Sequence, residues 1–425
     1  MYQAVELPAR GPDFEADVRS FVDRYVALWQ GAPATASPAA ESYGEDERRA
    51  NESAADRMIQ SFAAELRQFP GRARQQAEWR DRMFASLRRF AALSFRIPES
   101  HCDIIFSREY LDVTRAFVRR GREFDPGMDT AALAQALRNV WVTNCLQMFL
   151  GRPPSLSPSI FAYSMLYPYT DNYLDRPGER IESKEIACRR LGLRLSGHGV
   201  AACDGREAAI FRLVSMIEGE YSRDRFPEVY AALLAIHAGQ IQSLRQQNRA
   251  AAPDTDQLLR ISVAKGGASV LADGWLAAGR LEREEADFFF GYGVLLQLLD
   301  DLQDLPEDRA AGHWTLFTKA AETGCLDGVA NRLWNFMSGV LRGADCFTAP
   351  RSRELADLVR RNCGNLMLRS MAECADLFPG EYLAAMERRA PLGFEFLRSR
   401  SREVKARFDK IWPGLARQRR LQSIF

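Results

Sequence analysis

The chain has 425 residues and a nearly balanced charge, with 57 Lys and Arg against 56 Asp and Glu and a formal net charge of +1. Apolar residues make up 47 % of it, which is enough for one large helical domain or for two or three ordinary domains. The balanced charge gives no global indication of binding to nucleic acid or to an anionic membrane, and we expect no nucleic-acid partner.

The spacing of the cysteines and the length of the apolar runs bear on the cellular compartment of the protein. Eight cysteines are scattered along the chain without a CxxC pair, which argues against a disulfide framework or a zinc site and favours a reducing environment. The N-terminus shows no basic segment followed by an apolar run, so no signal peptide is predicted. No stretch reaches the ~18 apolar residues of a membrane span. We expect a soluble, cytoplasmic protein.

The N-terminal part is predicted to be an extension over residues 1–79. A helix is predicted over 13–30, followed by small and polar residues around 31–53 that are typical of a flexible linker. Helical periodicity resumes over 54–69 and again over 74–95.

From residue 80 to the end, the pattern predicts one large all-α domain. Ser157 followed by Pro158 is a typical helix start. Strictly alternating β-branched runs are nearly absent, so strands have little support. A helical array of this length can enclose a central apolar cavity. The helices predicted after this start are 158–176, 181–196, 205–222, 226–248, 255–278, 281–304, 315–341, 351–376 and 392–411.

Five aspartates occur in two tight groups within segments that otherwise look buried. The first acidic group, in DNYLD, is Asp171 and Asp175, and the second, in QLLDDLQD, is Asp300, Asp301 and Asp304. Helical residues four apart share a face, so the two members of the first group point the same way. Asp300 and Asp304 do so too, with Asp301 about 100° round the axis. Like charges at this spacing destabilise a helix, and far more so when enclosed.

This pattern suits divalent cations that are bound together with a diphosphate. Mg²⁺ prefers oxygen ligands, keeps several waters, and usually binds through one or two carboxylates plus substrate phosphates. Five carboxylates and a diphosphate require about three divalent ions to approach charge balance. Metal coordination makes diphosphate a good leaving group, and an apolar cavity would accept the cation left behind. That is the chemistry of prenyl diphosphate ionisation.

Each acidic group also has an ordinary explanation. The first is compatible with a solvated helix end in which Asp175 pairs with Arg176. The second is compatible with an acidic helix C-terminus before Pro306, although carboxylates at that end oppose the helix dipole. The presence of both groups, several predicted helices apart, favours a shared site.

These residues resemble those of the class I isoprenoid synthases, an all-α superfamily. Residues 291–318 look like the second aspartate motif of trans-prenyl diphosphate synthases, and also like the second acidic helix of squalene and phytoene synthases. Residues 167–175 are similar to the first motif of squalene and phytoene synthases and of the type IB, or large-terpene, synthases. The resemblance covers roughly residues 155–320. It implies the isoprenoid synthase fold, a helical bundle around a central apolar cavity.

The resemblance also implies roles for particular residues. It makes the five aspartates the metal-binding and catalytic residues, with three Mg²⁺ ions bound together with the diphosphate of a prenyl diphosphate substrate. It matches Lys265, in AKGG, to a lysine that contacts diphosphate. Gln297 occupies the position of the glutamine that precedes the second motif, and we count it among the substrate-binding candidates.

Four more substrate-binding candidates follow from their chemistry. Arg223 and Arg225 carry guanidinium forks that suit phosphate, with surface salt bridges as the alternative. Tyr169 and Tyr173 have rings that could line a cavity and stabilise a carbocation, with ordinary core packing as the alternative.

The departures from the family pattern narrow the function. The first motif lacks the Arg pair of chain-elongating synthases, and their N-terminal Gly-Lys-Arg stretch has no clear counterpart, which argues against head-to-tail elongation. We expect a Mg²⁺-dependent terpene synthase, which ionises a prenyl diphosphate and cyclises or rearranges the carbocation. The alternatives are a head-to-head prenyltransferase of the squalene or phytoene synthase type, and a non-catalytic helical isoprenoid-binding or scaffold protein.

The basic, partly amphipathic segment 396–420 has two interpretations. It is either a solvated helix or a peripheral contact with an anionic membrane surface, where prenyl lipids reside. The sequence leaves the oligomeric state open and is compatible with a homodimer.

Overall fold

The computed structural model describes residues 12–36, 42–67, 69–70, 72–176, 178–247 and 252–400. Within these ranges the chain is all-α, as predicted, and contains no strand. Three short 3₁₀ segments accompany the helices. The complete helices of these ranges are α1 Pro12–Gly31, α2 Glu45–Arg67, α3 Ala73–Ser94, α4 Glu99–Ile105, α5 Arg108–Phe124, α6 Thr130–Phe149, α7 Pro158–Leu174, α8 Ile181–Leu195, α9 Gly205–Glu220, α10 Pro227–Ser243, α11 Thr255–Ala278, α12 Arg283–Gln303, α13 Leu305–Ala311, α14 Leu316–Ala321, α15 Asp327–Leu341, α16 Ser352–Glu373 and α17 Gly380–Glu387.

The helices that carry the acidic groups begin at capping residues. The Ser157 side chain accepts a hydrogen bond from the Ile160 N–H, which confirms the predicted start of α7. The helix α12 begins at a reciprocal capping box between Glu282 and Glu285. Local sequence therefore defines where the acid-bearing helices start.

Two predicted elements differ from the structure. The single helix predicted over 315–341 is two helices, α14 and α15, because a turn interrupts it. Gly324 lies in this turn with φ +78°, a left-handed conformation that ends a helix. The predicted linker around 31–53 is shorter, since α1 continues to residue 31 and α2 begins at Glu45. Residues 37–41 of that linker lie outside the described residues.

The helices α11 and α12 form an antiparallel pair at the centre of the fold. Their backbones touch at two glycines, because a Cβ added to Gly293 would lie 2.1 Å from the carbonyl oxygen of Gly266. On its other side α11 approaches α10 closely, since a Cβ on Gly239 would lie 2.8 Å from the Cα of Lys265. These contacts hold Lys265 between neighbouring helices.

The other helices surround this pair. The helices α6, α7 and α10 pack against α11, and α15 and α16 pack against α12. The helix α1 contributes to the same core, because the ring of Tyr25 lies 6.0 Å from that of Phe290 and the ring of Trp29 lies 5.6 Å from that of Phe336. The described part of the predicted extension 1–79 is thus joined to the main helical array through α1, and also through α2, where the Asn51 side-chain amide donates to the Pro391 carbonyl at 3.0 Å.

Within the described ranges, no helix is both long enough and apolar enough to cross a membrane. Residues 394–400 of the predicted C-terminal helix are helical. The basic segment 396–420 lies outside the described residues from position 401 onward, so its two interpretations stay predictions.

Candidate functional site

Both acidic groups lie at the C-terminal ends of helices. Asp175 is the C-cap of α7, and its N–H donates to the carbonyl of Asp171 at 2.9 Å. Asp304 is the C-cap of α12, and its N–H donates to the carbonyl of Asp300 at 2.8 Å. A helix C-terminus carries partial negative charge, so carboxylates are unfavourable there unless a cation is near.

Lys265 of α11 lies where the two groups converge. Its Nζ is 3.3 Å from Asp171 Oδ1, and both side chains are largely buried. Burial acts to lower the pKa of Lys265, but the charges of Asp171, Asp175 and Asp300 outweigh burial and raise that pKa above its usual value. One ammonium group therefore experiences the charges of both acidic groups, from helices that are far apart in sequence.

Tyr167 shows the same convergence from α7. It precedes Asp171 by one turn, and the charge of Asp171 is the main cause of a phenol pKa well above its usual value. Burial and then the charge of Asp300 add to this rise. A tyrosine beside the first group is thus also within range of the second.

The second acidic group is crowded and partly neutralised by a residue that sequence reasoning missed. Burial, followed by the charges of Asp300 and Asp308, raises the pKa of Asp304 to about 7. Burial is also the first cause of the raised pKa of Asp300, and the exposed Arg138 of α6 acts against it. No spacing or motif in the sequence distinguishes Arg138 from the other arginines.

The carboxylate of Asp301, a predicted metal ligand, is buried and accepts a hydrogen bond on each oxygen. Its Oδ2 accepts from the Ser262 hydroxyl at 2.9 Å, and its Oδ1 accepts from the Gln297 side-chain amide at 2.8 Å. Asp301 is 6 % exposed, and burial raises its pKa to about 7. Because it lies about 100° round the helix from Asp300, its carboxylate ties α12 to α11. Gln297 likewise contacts Asp301 in this structure.

Arg223 and Arg225 contact other parts of the chain. Arg223 lies 2.6 Å from Glu218 and 3.8 Å from the ring centroid of Tyr230. Arg225 lies 5.6 Å from the ring centroid of Phe226. Among the described residues neither arginine contacts an acidic group of the site, which agrees with the salt-bridge alternative for Arg223.

The two candidate tyrosines have different surroundings. The Tyr169 hydroxyl donates to Asp125 at 2.5 Å, which turns its ring towards α5. Tyr173 lies under the guanidinium of Arg206 at 3.5 Å and lines a cavity between α7, α8, α9 and α10. The cavity also contacts Leu174, and its volume of about 20 Å³ is room for one water. A prenyl chain at this position would require the four helices to part.

Lys184 and Gln247 are further residues beside the first acidic group. The Lys184 Nζ donates to Gln247 Oε1 at 3.0 Å. The Gln247 amide donates to Asp175 Oδ1 at 2.9 Å and to the Leu174 carbonyl at 3.2 Å. A weak sequence signal exists for Lys184 alone, because only five of the 57 basic residues are lysine.

A buried polar cluster lies deeper on the same helices. Asp273 of α11 is 1 % exposed, and its Oδ1 accepts from Thr143 at 2.8 Å and from Asn139 at 2.9 Å. The Asn139 amide also donates to Ser164 of α7 at 3.1 Å. This cluster joins α6, α7 and α11 below the acidic groups, and sequence reasoning missed it.

The acidic groups supply oxygen donors for the predicted magnesium, without a preformed metal site among the described residues. No three His, Cys, Asp or Glu side chains of the described residues already form a group that could hold a metal ion. The carboxylates of Asp175, Asp300 and Asp304 nevertheless supply the hard oxygen donors that Mg²⁺ prefers when substrate phosphates and waters complete its coordination. No family model and no curated protein sequence matches this chain.

Proposed function

We propose that this protein is a Mg²⁺-dependent class I isoprenoid synthase that ionises a prenyl diphosphate and cyclises or rearranges the resulting carbocation. Its support is one observation, the convergence of the first and second acidic groups on Lys265. Two acidic helix C-termini around one ammonium suit a ligand that is itself a polyanion and arrives with divalent cations.

Acidic and basic residues of the site have different roles in binding a diphosphate that arrives with Mg²⁺. Asp175, Asp300 and Asp304 would hold Mg²⁺ through their carboxylate oxygens, and the ion would neutralise the diphosphate and make it a better leaving group. Lys265 and Arg138 donate to phosphate oxygens and stabilise the charge that develops on them. During ionisation the carbon–oxygen bond breaks, its electron pair leaves with the diphosphate, and an allylic cation remains.

The surroundings of the site suit an allylic carbocation, which would react with water if it were exposed to solvent. Asp171 is buried, and α7 and α11 continue below it into the hydrophobic core. Exclusion of water strengthens each electrostatic contact and prevents premature quenching of the cation. The hydrocarbon part of the substrate would thus lie among apolar side chains while its diphosphate lies at the acidic helix ends.

The test is diphosphate release from geranyl, farnesyl and geranylgeranyl diphosphates with Mg²⁺, together with mass spectrometry of the extracted products. We expect Asp300→Asn and Asp304→Asn each to reduce release on the order of 100-fold, because each removes a carboxylate that would hold the Mg²⁺ on which stabilisation of the leaving group depends. Glu284→Gln is the matched control, since it removes an exposed carboxylate from the first turn of the same helix and should leave release unchanged.

Three results separate the alternatives. A cyclic hydrocarbon or alcohol from one substrate supports the proposal, and a coupled product from two prenyl chains indicates a head-to-head prenyltransferase. Wild-type protein that releases no diphosphate at any chain length would contradict the proposal and favour the non-catalytic alternative.

A further inference from the structure

Two lysines lie beside the first acidic group of a chain whose other basic residues are almost all arginine. Lys265 contacts Asp171 directly. Lys184, on α8, is 5 % exposed and reaches the group through Gln247. A lysine is almost never fully buried unless it has a partner, so the arrangement around Lys184 calls for an explanation beyond surface solvation.

The hydrogen bonds of Lys184 determine how the Gln247 amide is oriented. An ammonium group only donates, so the oxygen of Gln247 must face Lys184. The amide nitrogen then faces two acceptors, the Leu174 carbonyl and Asp175 Oδ1. All polar atoms of the Gln247 side chain are engaged, and one oxygen of Asp175 is held in place. For its other oxygen, the described residues supply no hydrogen bond.

The 3₁₀ turn Leu244–Gln247, which carries Gln247, also contacts the segment that follows the second acidic group. The backbone N–H of Trp314 donates to the backbone carbonyl of Gln246 at 2.8 Å. The residue before it, His313, lies 3.5 Å from Asp308, whose charge acts on Asp300 and Asp304. One short turn therefore touches both sides of the site.

Without the hydrogen bond from Gln247, the Asp175 side chain would favour a rotamer that points away from Asp171. Asp175 is the C-cap of its helix, it is exposed, and the charge of Asp171 one turn earlier repels it. An amide donor at 2.9 Å opposes that repulsion and limits the orientations of the carboxylate. Ligands that are already oriented lose less entropy when a metal and its diphosphate bind.

We propose that Lys184 and Gln247 are positioning residues that orient Asp175 for the binding of diphosphate with Mg²⁺. The inference rests on the proposed function. Lys184 orients the amide, the amide holds one oxygen of Asp175, and the other oxygen faces the incoming ion. Neither residue needs to contact the substrate.

The first test measures binding of inorganic diphosphate in the presence of Mg²⁺ by isothermal titration calorimetry on the full chain. Gln247→Leu removes the amide, and we expect the affinity to fall about tenfold or more, as for other residues that orient metal ligands. Gln246→Ala is the control, because the contact of Gln246 with Trp314 uses its backbone carbonyl. Thermal unfolding of each variant verifies that it is folded.

A second variant isolates the donor function. Gln247→Glu keeps an acceptor for Lys184 and gains an ion pair with it, so the turn should stay folded, but a carboxylate cannot donate to Asp175. We expect the same loss of affinity, and in steady-state release of diphosphate a higher KM. Lys184→Met should have a similar but smaller effect, since it frees the amide to rotate.

The outcomes are distinguishable. This inference alone would be overturned if the wild-type protein is active on a prenyl diphosphate and both Gln247→Leu and Gln247→Glu bind diphosphate as tightly as the wild type. Wild-type protein that neither binds diphosphate with Mg²⁺ nor releases it from a substrate would overturn the proposed function and this inference together.

Discussion

At the scale of single residues, the site contains more carboxylates than cationic side chains, so each cationic side chain matters for its charge balance. Lys265 lies 3.3 Å from Asp171 and within range of Asp175 and Asp300, while Arg138 acts on the second group from an exposed position. Removing one member of a buried ion pair leaves the other as an uncompensated charge, which is more destabilising than removing both. The contribution of Lys265 can therefore be measured through Asp171.

Lys265→Met should leave Asp171 without its counter-ion. We expect the free energy of unfolding to fall by about 2–3 kcal/mol, somewhat less than for a fully sealed pair because Lys265 is partly solvated. Urea unfolding without Mg²⁺ measures this. The double variant with Asp171→Asn should recover most of the loss. Lys319→Met, at an i,i+3 pair with the half-exposed Glu322, is the control, and equal losses at both lysines would contradict the prediction.

At the scale of helices, the position of the site depends on close contact between α11 and α12. Gly293 faces the backbone of Gly266, one residue after Lys265 in the sequence. Ser262 of α11 donates to Asp301 of α12, so a shift between the two helices would disturb both Lys265 and the second acidic group. Backbone atoms cannot rotate away as a side chain can, which makes this contact sensitive to a single methyl group.

Gly293→Ala should therefore destabilise the protein. Its Cβ would lie 2.1 Å from the Gly266 carbonyl oxygen, so the helices must separate, and overpacking of this kind costs about 1–3 kcal/mol. Gly219→Ala is the matched control, because the exposed end of α9 leaves open space around that Cβ and alanine favours a helix. Differential scanning calorimetry compares the two. A Gly293→Ala protein that melts no earlier than the Gly219→Ala protein would show that the contact is not tight.

The sequence predicted the helices that carry the site and several of their neighbours closely, but it did not predict the side-chain contacts between them. The capping residue Ser157 and the apolar periodicity of α12 are local signals, and both acidic groups lie on the helices where those signals placed them. The inward orientation of Asp301 depends on Ser262 of another helix, and no local pattern encodes that contact. The role of Gln247 likewise arises from tertiary packing alone, because its partners Lys184 and Asp175 are more than 60 residues away.

At the scale of the whole molecule, several carboxyl groups have raised pKa values. Asp301 and Asp304 at the site and Asp273 below it each have a pKa of about 7, with burial as the main cause. In the unfolded chain such groups titrate near pH 4. Between these values the three groups bind more protons in the folded protein than in the unfolded chain, so their contribution to stability falls as the pH rises from about 4 to about 7. Below that range the full stabilisation is present.

Asp273→Asn should remove one part of this pH dependence. The amide imitates the protonated carboxyl, since its oxygen can accept from Thr143 and Asn139 as Oδ1 does, and its nitrogen replaces the Oδ2 that has no partner among the described residues. Each pKa unit of difference corresponds to about 1.4 kcal/mol, so the free energy of unfolding should decline less steeply with pH in the variant than in wild type. Urea unfolding at several values between about pH 4 and about pH 8, without Mg²⁺, measures both slopes. Asp301 and Asp304 are present in both proteins, and the difference between the slopes therefore belongs to Asp273. Parallel curves for the two proteins would show that Asp273 is ionised in the folded state over this range.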